Sequence, residues 1–221
     1  MVLGQSEILG GVDLALRAGT VLGVLGPSGA GKTTLFRVMV GELMPARGRV
    51  LMGPAEVTDE PLWRRARRGL GYLPQTPSVL FDLDVRRNLK TFERALGLRP
   101  RPPEEWAAMV ELEARLDVGA SSLSGGERRR LELLRTLMAE PRVLVLDEPL
   151  TGIDPARVSG LGRLLRAAAA RGAAVVLADH RIREALEFCD QAALLVDGRV
   201  EVVANAAEFA EHSAVVRRYL G

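Results

Sequence analysis

The sequence predicts an α/β fold: a mostly parallel sheet with an antiparallel β edge and an inserted helical subdomain. Three observations carry that expectation. Residues 20–25 read as a buried strand that runs into a glycine-rich loop, and residues 35–39 read as the helix after it, the strand–loop–helix order of a β–α unit. Val143, Leu144, Val145 and Leu146 form a continuous apolar run, as at the centre of a parallel sheet, and residues 173–178 repeat that character after an Ala/Arg-rich helix, completing a β–α–β unit. Residues 193–196 and 199–203 flank Asp197-Gly198, a two-residue hairpin signal that supplies the antiparallel edge.

The remaining elements follow in order. Ile8-Leu9 and the apolar–polar alternation over residues 12–16 are read as short edge strands. Pro45 and Gly48 mark a turn before a strand over residues 49–53. Residues 61–68 hold four arginines and are read as a solvated helix with Trp63 anchoring its apolar side, not as a nucleic-acid patch. Residues 71–75 are a strand running into a loop, after which the segment to about 135 is helical. Pro102 and Pro103 precede Glu104 and Glu105, acidic residues suited to a first helical turn. Trp106, Met109, Val110 and Leu116 recur at helical spacing and are assigned to core. A helix over residues 206–219 closes the chain. One domain over 1–221 is expected, with 1–75 and 136–221 forming the β core and 76–135 the helical subdomain.

Length and composition agree with this. The chain has 221 residues and a formal net charge of +2, which gives no electrostatic footprint for nucleic acid or an anionic membrane. Lys32 and Lys90 are the only lysines. The single cysteine, Cys189, excludes an internal disulfide and suits a reducing compartment, as a small buried apolar group. The opening segment lacks the pattern of a signal peptide, and no apolar run is long enough to span a membrane. Any membrane connection is therefore expected to come through a partner.

The chemistry starts at Gly26, Pro27, Ser28, Gly29, Ala30, Gly31, Lys32 and Thr33, followed by Thr34, which match G-x-x-x-x-G-K-[ST] at every fixed position. This identifies a P-loop NTPase. Glycines let backbone N–H groups face inward as an anion nest, and the next helix aims its positive N-terminus at the same phosphates. Lys32 is placed for the β- and γ-phosphates and the Thr33 hydroxyl for Mg²⁺. Asp147 and Glu148 at the end of the second apolar strand supply one carboxylate for the metal sphere and one to polarise a water. Gln75 can reach the metal or the attacking water, and His180 can hydrogen-bond a γ-phosphate. Ser124, Gly125 and Gly126 open a helix, with Ser124 as N-cap and Glu127 completing a capping box; the remaining N–H groups can serve as a second anion cradle.

Taken together, residues 26–33, Gln75, residues 123–127, residues 143–148, Asp154 and His180 resemble the phosphate loop, Q-loop, signature, acidic strand, D-loop and switch histidine of an ABC-transporter ATPase, in that family's order and spacing. The resemblance implies a dimer, of two copies or with a second ATPase subunit, that sandwiches ATP. Ser124, Gly125 and Gly126 of one subunit would close on the γ-phosphate held by Lys32 of the other, with Asp154 at the same interface. It implies Glu148 as catalytic base, His180 as γ-phosphate sensor, and Thr33, Gln75 and Asp147 around Mg²⁺. It also implies integral membrane transporter subunits as partners and a cytoplasmic, peripheral place on the inner face of the membrane, with no nucleic acid. Within the family, residues 61–75, 122–130 and 179–184 and the terminal residues 218–221 resemble the lipopolysaccharide-export ATPase, and branched-chain amino-acid importer ATPases share part of this. An ABC-type ATPase acting on nucleic acid or ribosomes is the rival reading, although this chain has neither two cassettes nor coiled-coil insertions.

Three departures from the family pattern stand out. No Phe, Tyr or Trp precedes Phe36, and Leu3 is the nearest counterpart of the family's base-stacking aromatic, so the nucleotide is expected to be held mainly by its phosphates. The chain is expected to lack most of a first strand. Leu80-Phe81-Asp82 stands where an aromatic followed by basic residues would be expected in the lipopolysaccharide exporter.

Overall fold

Leu22 pairs with Val176 on one side and Gln191 on the other, so the strand that feeds the glycine loop is held at both edges. The computed structural model describes residues 2–3, 6–212 and 215. Two short strands, β1 (Val2–Leu3) and β2 (Ser6–Glu7), form an antiparallel pair. β3 (Val21–Leu25) leads through the glycine loop into α1 (Lys32–Val40). A small hairpin follows, β4 (Leu51–Met52) with β5 (Ala55–Glu56), then α2 (Leu62–Arg67) and β6 (Leu70–Leu73). The helical segment holds α3 (Val85–Ala95), α4 (Pro103–Ala108), two 3₁₀ turns and α5 (Gly125–Met138). The chain returns through β7 (Val143–Asp147), α6 (Pro155–Ala170), β8 (Ala174–Ala178), α7 (Ile182–Leu186), β9 (Gln191–Val196), β10 (Arg199–Asn205) and α8 (Ala206–Glu211).

The main sheet has six strands in the order β10-β9-β3-β8-β7-β6. All neighbours are parallel except β10 and β9, as the Asp197-Gly198 turn predicts. That turn has φ of 47° and 73°, the double left-handed geometry of a type I′ hairpin. Burial follows the topology: β3 and β8 are buried at every position, as parallel strands covered on both faces must be, while edge strand β10 alternates exposed and half-buried. One core, around Phe36, Leu22 and Val176, lies under α1, and a second, around Leu144, Leu165 and Phe188, under α6. A third belongs to the helical segment and joins Leu89, Trp106, Leu112 and Leu131. There the Trp106 indole N–H donates to buried Glu93 at 3.0 Å.

Several expectations need correction. Residues 12–16 form no strand; Val12, Leu14 and Leu16 still turn inward onto the α1-side core, so their alternation recorded burial without a partner strand. The strand expected over 49–53 shrinks to Leu51–Met52. Trp63 does not anchor α2: it is 54% exposed, with Arg64 and Arg67 each 5.1 Å from its ring centre. The buried residue of that helix is Arg65. Its guanidinium donates to the carbonyls of Val38 at 2.8 Å, Met39 at 2.7 Å, Thr58 at 3.0 Å and Glu60 at 2.8 Å, tying the last turn of α1, where carbonyls lack helical partners, to the segment before α2. Met109 lies beyond the end of α4 and is exposed. The closing helix is described as Ala206–Glu211, the rest of the predicted span lying mostly outside the described residues. Cys189 is buried and unbonded, and burial pushes its thiol up to about 12.

Candidate nucleotide site

The C-terminal ends of β3, β6, β7 and β8 share one edge of the sheet, where open α/β folds place their ligands. Gly29 and Gly31 have φ of 82° and 98°, the left-handed turns that aim successive N–H groups into one concavity. Gly31 is the N-cap of α1, and no side chain caps that helix, so its first N–H groups are left for an anion. Lys32 Nζ spans the loop, donating to the carbonyls of Gly26 at 2.6 Å and Pro27 at 2.8 Å. Burial lowers the Lys32 pKa, while Glu148, Asp147 and Asp179 act against that shift.

Asp147 closes β7 and is 1% exposed. The Thr33 hydroxyl lies beside it and favours its charged form, yet its Oδ2 is buried with no hydrogen-bond partner. Burial pushes this carboxyl up. An orphaned carboxylate oxygen beside a hydroxyl fits a hard divalent cation that takes its other ligands from phosphates and water, the usual habit of Mg²⁺. Glu148 follows with φ of 52°, a backbone state that L-residues seldom adopt and that costs on the order of 1–3 kcal/mol. This turn separates the two adjacent acids, and Glu148 directs its carboxylate toward Thr151 Oγ1, at 3.2 Å, and His180 Nδ1, at 3.9 Å.

Asp179, fully buried at the end of β8, accepts from the backbone N–H groups of Leu150 and Arg181, both at 2.9 Å. Arg181 donates to the carbonyl of Ile153 at 2.9 Å. These bonds fasten the loop between Glu148 and Asp154 to the strand end that carries His180. Ser124 caps α5 in a full capping box: its hydroxyl accepts from the Glu127 N–H and Glu127 accepts from the Ser124 N–H at 2.9 Å. A side chain at Gly126 would meet the Gly152 carbonyl at 2.3 Å, so only glycine lets the helix start lie against that loop.

The ABC transporter family model matches residues 9–151, well over half of the chain. The chain belongs to the ABC transporter family. It is 42% identical over 214 residues to the lipopolysaccharide export system ATP-binding protein LptB of Acidithiobacillus ferridurans, covering 95% of this chain and 89% of that one. Among solved structures, an ATP-binding cassette of an ABC transporter matches at a TM-score of 0.86 and 25% identity, over 100% of this chain and 95% of that one. The dimeric structure of a bacterial ABC transporter cassette matches at a TM-score of 0.79 and 25% identity, over 90% of each. This protein is thus an ATP-binding and ATP-hydrolysing subunit of an ABC transporter. Among the described residues no helix is long and apolar enough to cross a membrane.

In this ABC cassette the fold brings Lys32, Thr33, Asp147, Glu148 and His180 to one place. Gln75 lies just past β6 and is exposed, and among the described residues no hydrogen bond joins it to Thr33 or Asp147. Asp154 caps α6 through the Ala156 N–H at 2.9 Å. No hydrogen bond or ion pair among the described residues links Ser124, Gly125 or Gly126 to the phosphate loop of the same chain. Leu3 falls in β1, and its side chain lies outside what the structure describes. Sequence reading missed Arg129, Glu132, Asp179 and Arg181 as supports of the site. Only the spacing of Arg129 and Glu132 on one face of α5 hints at the first pair.

Proposed function

We propose that two cassettes, two copies of this chain or this chain and a second ATPase subunit, close on ATP and drive a lipopolysaccharide-export-like membrane partner. The likeness to the export ATP-binding protein over 95% of this chain supports that substrate class, and the relatives favour neither the nucleic-acid or ribosome reading nor the importer reading. Residues 26–34 cradle the phosphates, Lys32 neutralises the γ-phosphate, and Ser124, Gly125, Gly126 and Asp154 of the other cassette complete the site. Thr33, Asp147 and Gln75 hold Mg²⁺, which when bound neutralises charge on the phosphate oxygens. Glu148 takes the proton of a water that attacks the γ-phosphorus in line as the bridging β–γ oxygen departs, and His180 donates to the γ-phosphate. Positioning and charge neutralisation supply most of the rate. The cassette is cytoplasmic and peripheral on the inner face of the membrane through its partners, with the helical segment around 76–135 as the lever.

The observation that carries this reading is the pair Asp147 and Glu148, one buried beside Thr33 and the other turned toward His180. Glu148→Gln tests it: turnover falls about 10²- to 10⁴-fold while an ATP-bound dimer accumulates in size-exclusion chromatography. An unchanged rate removes Glu148 from the base role.

A further inference from the structure

Arg129 stands on the second turn of α5, and its side chain is 6% exposed. Its guanidinium reaches three places at once. It donates to the Asp147 carbonyl and, through Nε and a terminal nitrogen, to the Glu148 carbonyl at 3.2 and 3.1 Å. The other terminal nitrogen donates to the Pro74 carbonyl at 2.7 Å, next to Gln75. That nitrogen also meets Glu132 at 3.1 Å, and the second Glu132 oxygen accepts from the Ser78 N–H at 2.6 Å. The fork geometry is spent entirely on these acceptors, a task a lysine point charge cannot duplicate.

The position of these bonds matters more than their number. Glu148 has φ of 52°, and a strained residue persists only where its surroundings over-determine it. Three contacts do so here. The Glu148 N–H donates to the Ala178 carbonyl at 2.7 Å, the Thr151 N–H donates to the Glu148 carbonyl at 3.2 Å, and Arg129 grips that same carbonyl from the opposite element. Rotating this peptide would swing the carboxylate away from His180. Of the three, only Arg129 comes from the helix that Ser124 opens.

We propose that Arg129, anchored by Glu132, is a positioning residue for the Glu148 carboxylate, acting through the Asp147 and Glu148 carbonyls. The inference rests on Glu148 being the base. It makes the orientation of the signature helix and that of the catalytic carboxylate one mechanical unit.

The test is a cycle in the full-length chain: Arg129→Lys and Arg129→Met, each alone and combined with Glu148→Gln, with kcat, KM for ATP and ATP-dependent dimerisation measured for all. Arg129→Lys keeps the charge, and circular dichroism melting checks that it folds. Both single variants lower kcat by about tenfold or more, as a misplaced group does, with KM within about threefold and dimerisation retained. Added to Glu148→Gln, the same replacements lower the residual rate by no more than about twofold, because the group being positioned is already gone. Unchanged kcat in Arg129→Lys and Arg129→Met overturns the proposal, as does an equal fold-loss with and without Glu148→Gln. A fully active Glu148→Gln overturns the base reading and this one with it, whereas a slow Glu148→Gln with a full additional Arg129→Lys loss overturns only this one.

Discussion

His180 Nδ1 lies 3.9 Å from a carboxylate oxygen of Glu148, although the two residues leave different strands, β8 and β7, that are neighbours in the sheet. The imidazole is 63% exposed and so faces the open side of the site, where the terminal phosphate would sit. The proposed hydrogen bond from His180 would be needed most when charge develops on that phosphate. His180→Ala should therefore lower kcat about 10²- to 10³-fold, the scale of losing one preorganised donor, with ATP affinity little changed. Phosphate-release kinetics beside a nucleotide titration separate the two, and an equal loss in affinity would make His180 a ground-state binder instead.

Asp147 keeps one oxygen buried without a partner, at a cost of about 1–3 kcal/mol. Asp147→Asn removes the charge and much of that cost. Without divalent cation the variant should melt above the parent by up to about 2–12 °C, taking roughly 2–4 °C per kcal/mol for a chain of this size. Added Mg²⁺ and ATP analogue should raise the parent's Tm and leave the variant's nearly unmoved, by mass action on the folded state. A parent that melts higher than the variant in chelator would mean that Asp147 is satisfied without metal.

Arg65 and Trp63, two residues apart on α2, should respond in opposite measure to truncation. Arg65→Ala takes the guanidinium donors from the carbonyls of Met39, Thr58 and Glu60, while Val38 keeps the Gly41 N–H, and each orphaned acceptor costs about 1–3 kcal/mol. A loss of at least about 3 kcal/mol in urea unfolding is expected. Trp63→Ala, at an exposed site, should change stability by no more than about 0.5 kcal/mol. The reverse ranking would restore Trp63 as the anchor of that helix.

That pair also shows what the sequence could disclose. A parallel strand buried on both faces writes itself as an apolar run, and a phosphate loop must keep its glycines, so β3, β7, β8 and residues 26–34 were legible. The hairpin at Asp197 was legible because its φ values demand that residue pair. Arg65, Arg129 and Arg181 were not, because an arginine buried for its donors looks the same in sequence as one on a solvated face. What distinguishes them is the set of free carbonyls around each, and those carbonyls belong to segments far apart in the chain. The strand expected over 12–16 failed for a related reason: alternation reports one buried face, while a strand also needs a neighbour with free N–H and C=O groups.

Glu127 gives the fold an acid limit with a definite sign. Burial pushes its carboxyl up, but the Ser124 N–H, the Arg115 guanidinium and the Ser124 hydroxyl outweigh that and hold it at about 2, against an ordinary value of 4.5. The folded state thus binds this proton less readily than the unfolded chain. Its contribution is complete above pH 4.5 and is lost as pH falls from 4.5 toward 2. Glu127→Gln keeps an acceptor for the Ser124 N–H, since a capping box accepts either residue, but has no charge to lose. The gap in urea midpoint between parent and variant should be constant at neutral pH and close across that acid window. Arg115 is 51% exposed, so its ion pair adds little and is screened by salt, whereas the bond at the helix N-terminus is local. In 1 M NaCl most of the gap should therefore survive, and a gap that collapses in salt at pH 7 would assign the effect to Arg115 instead of the cap.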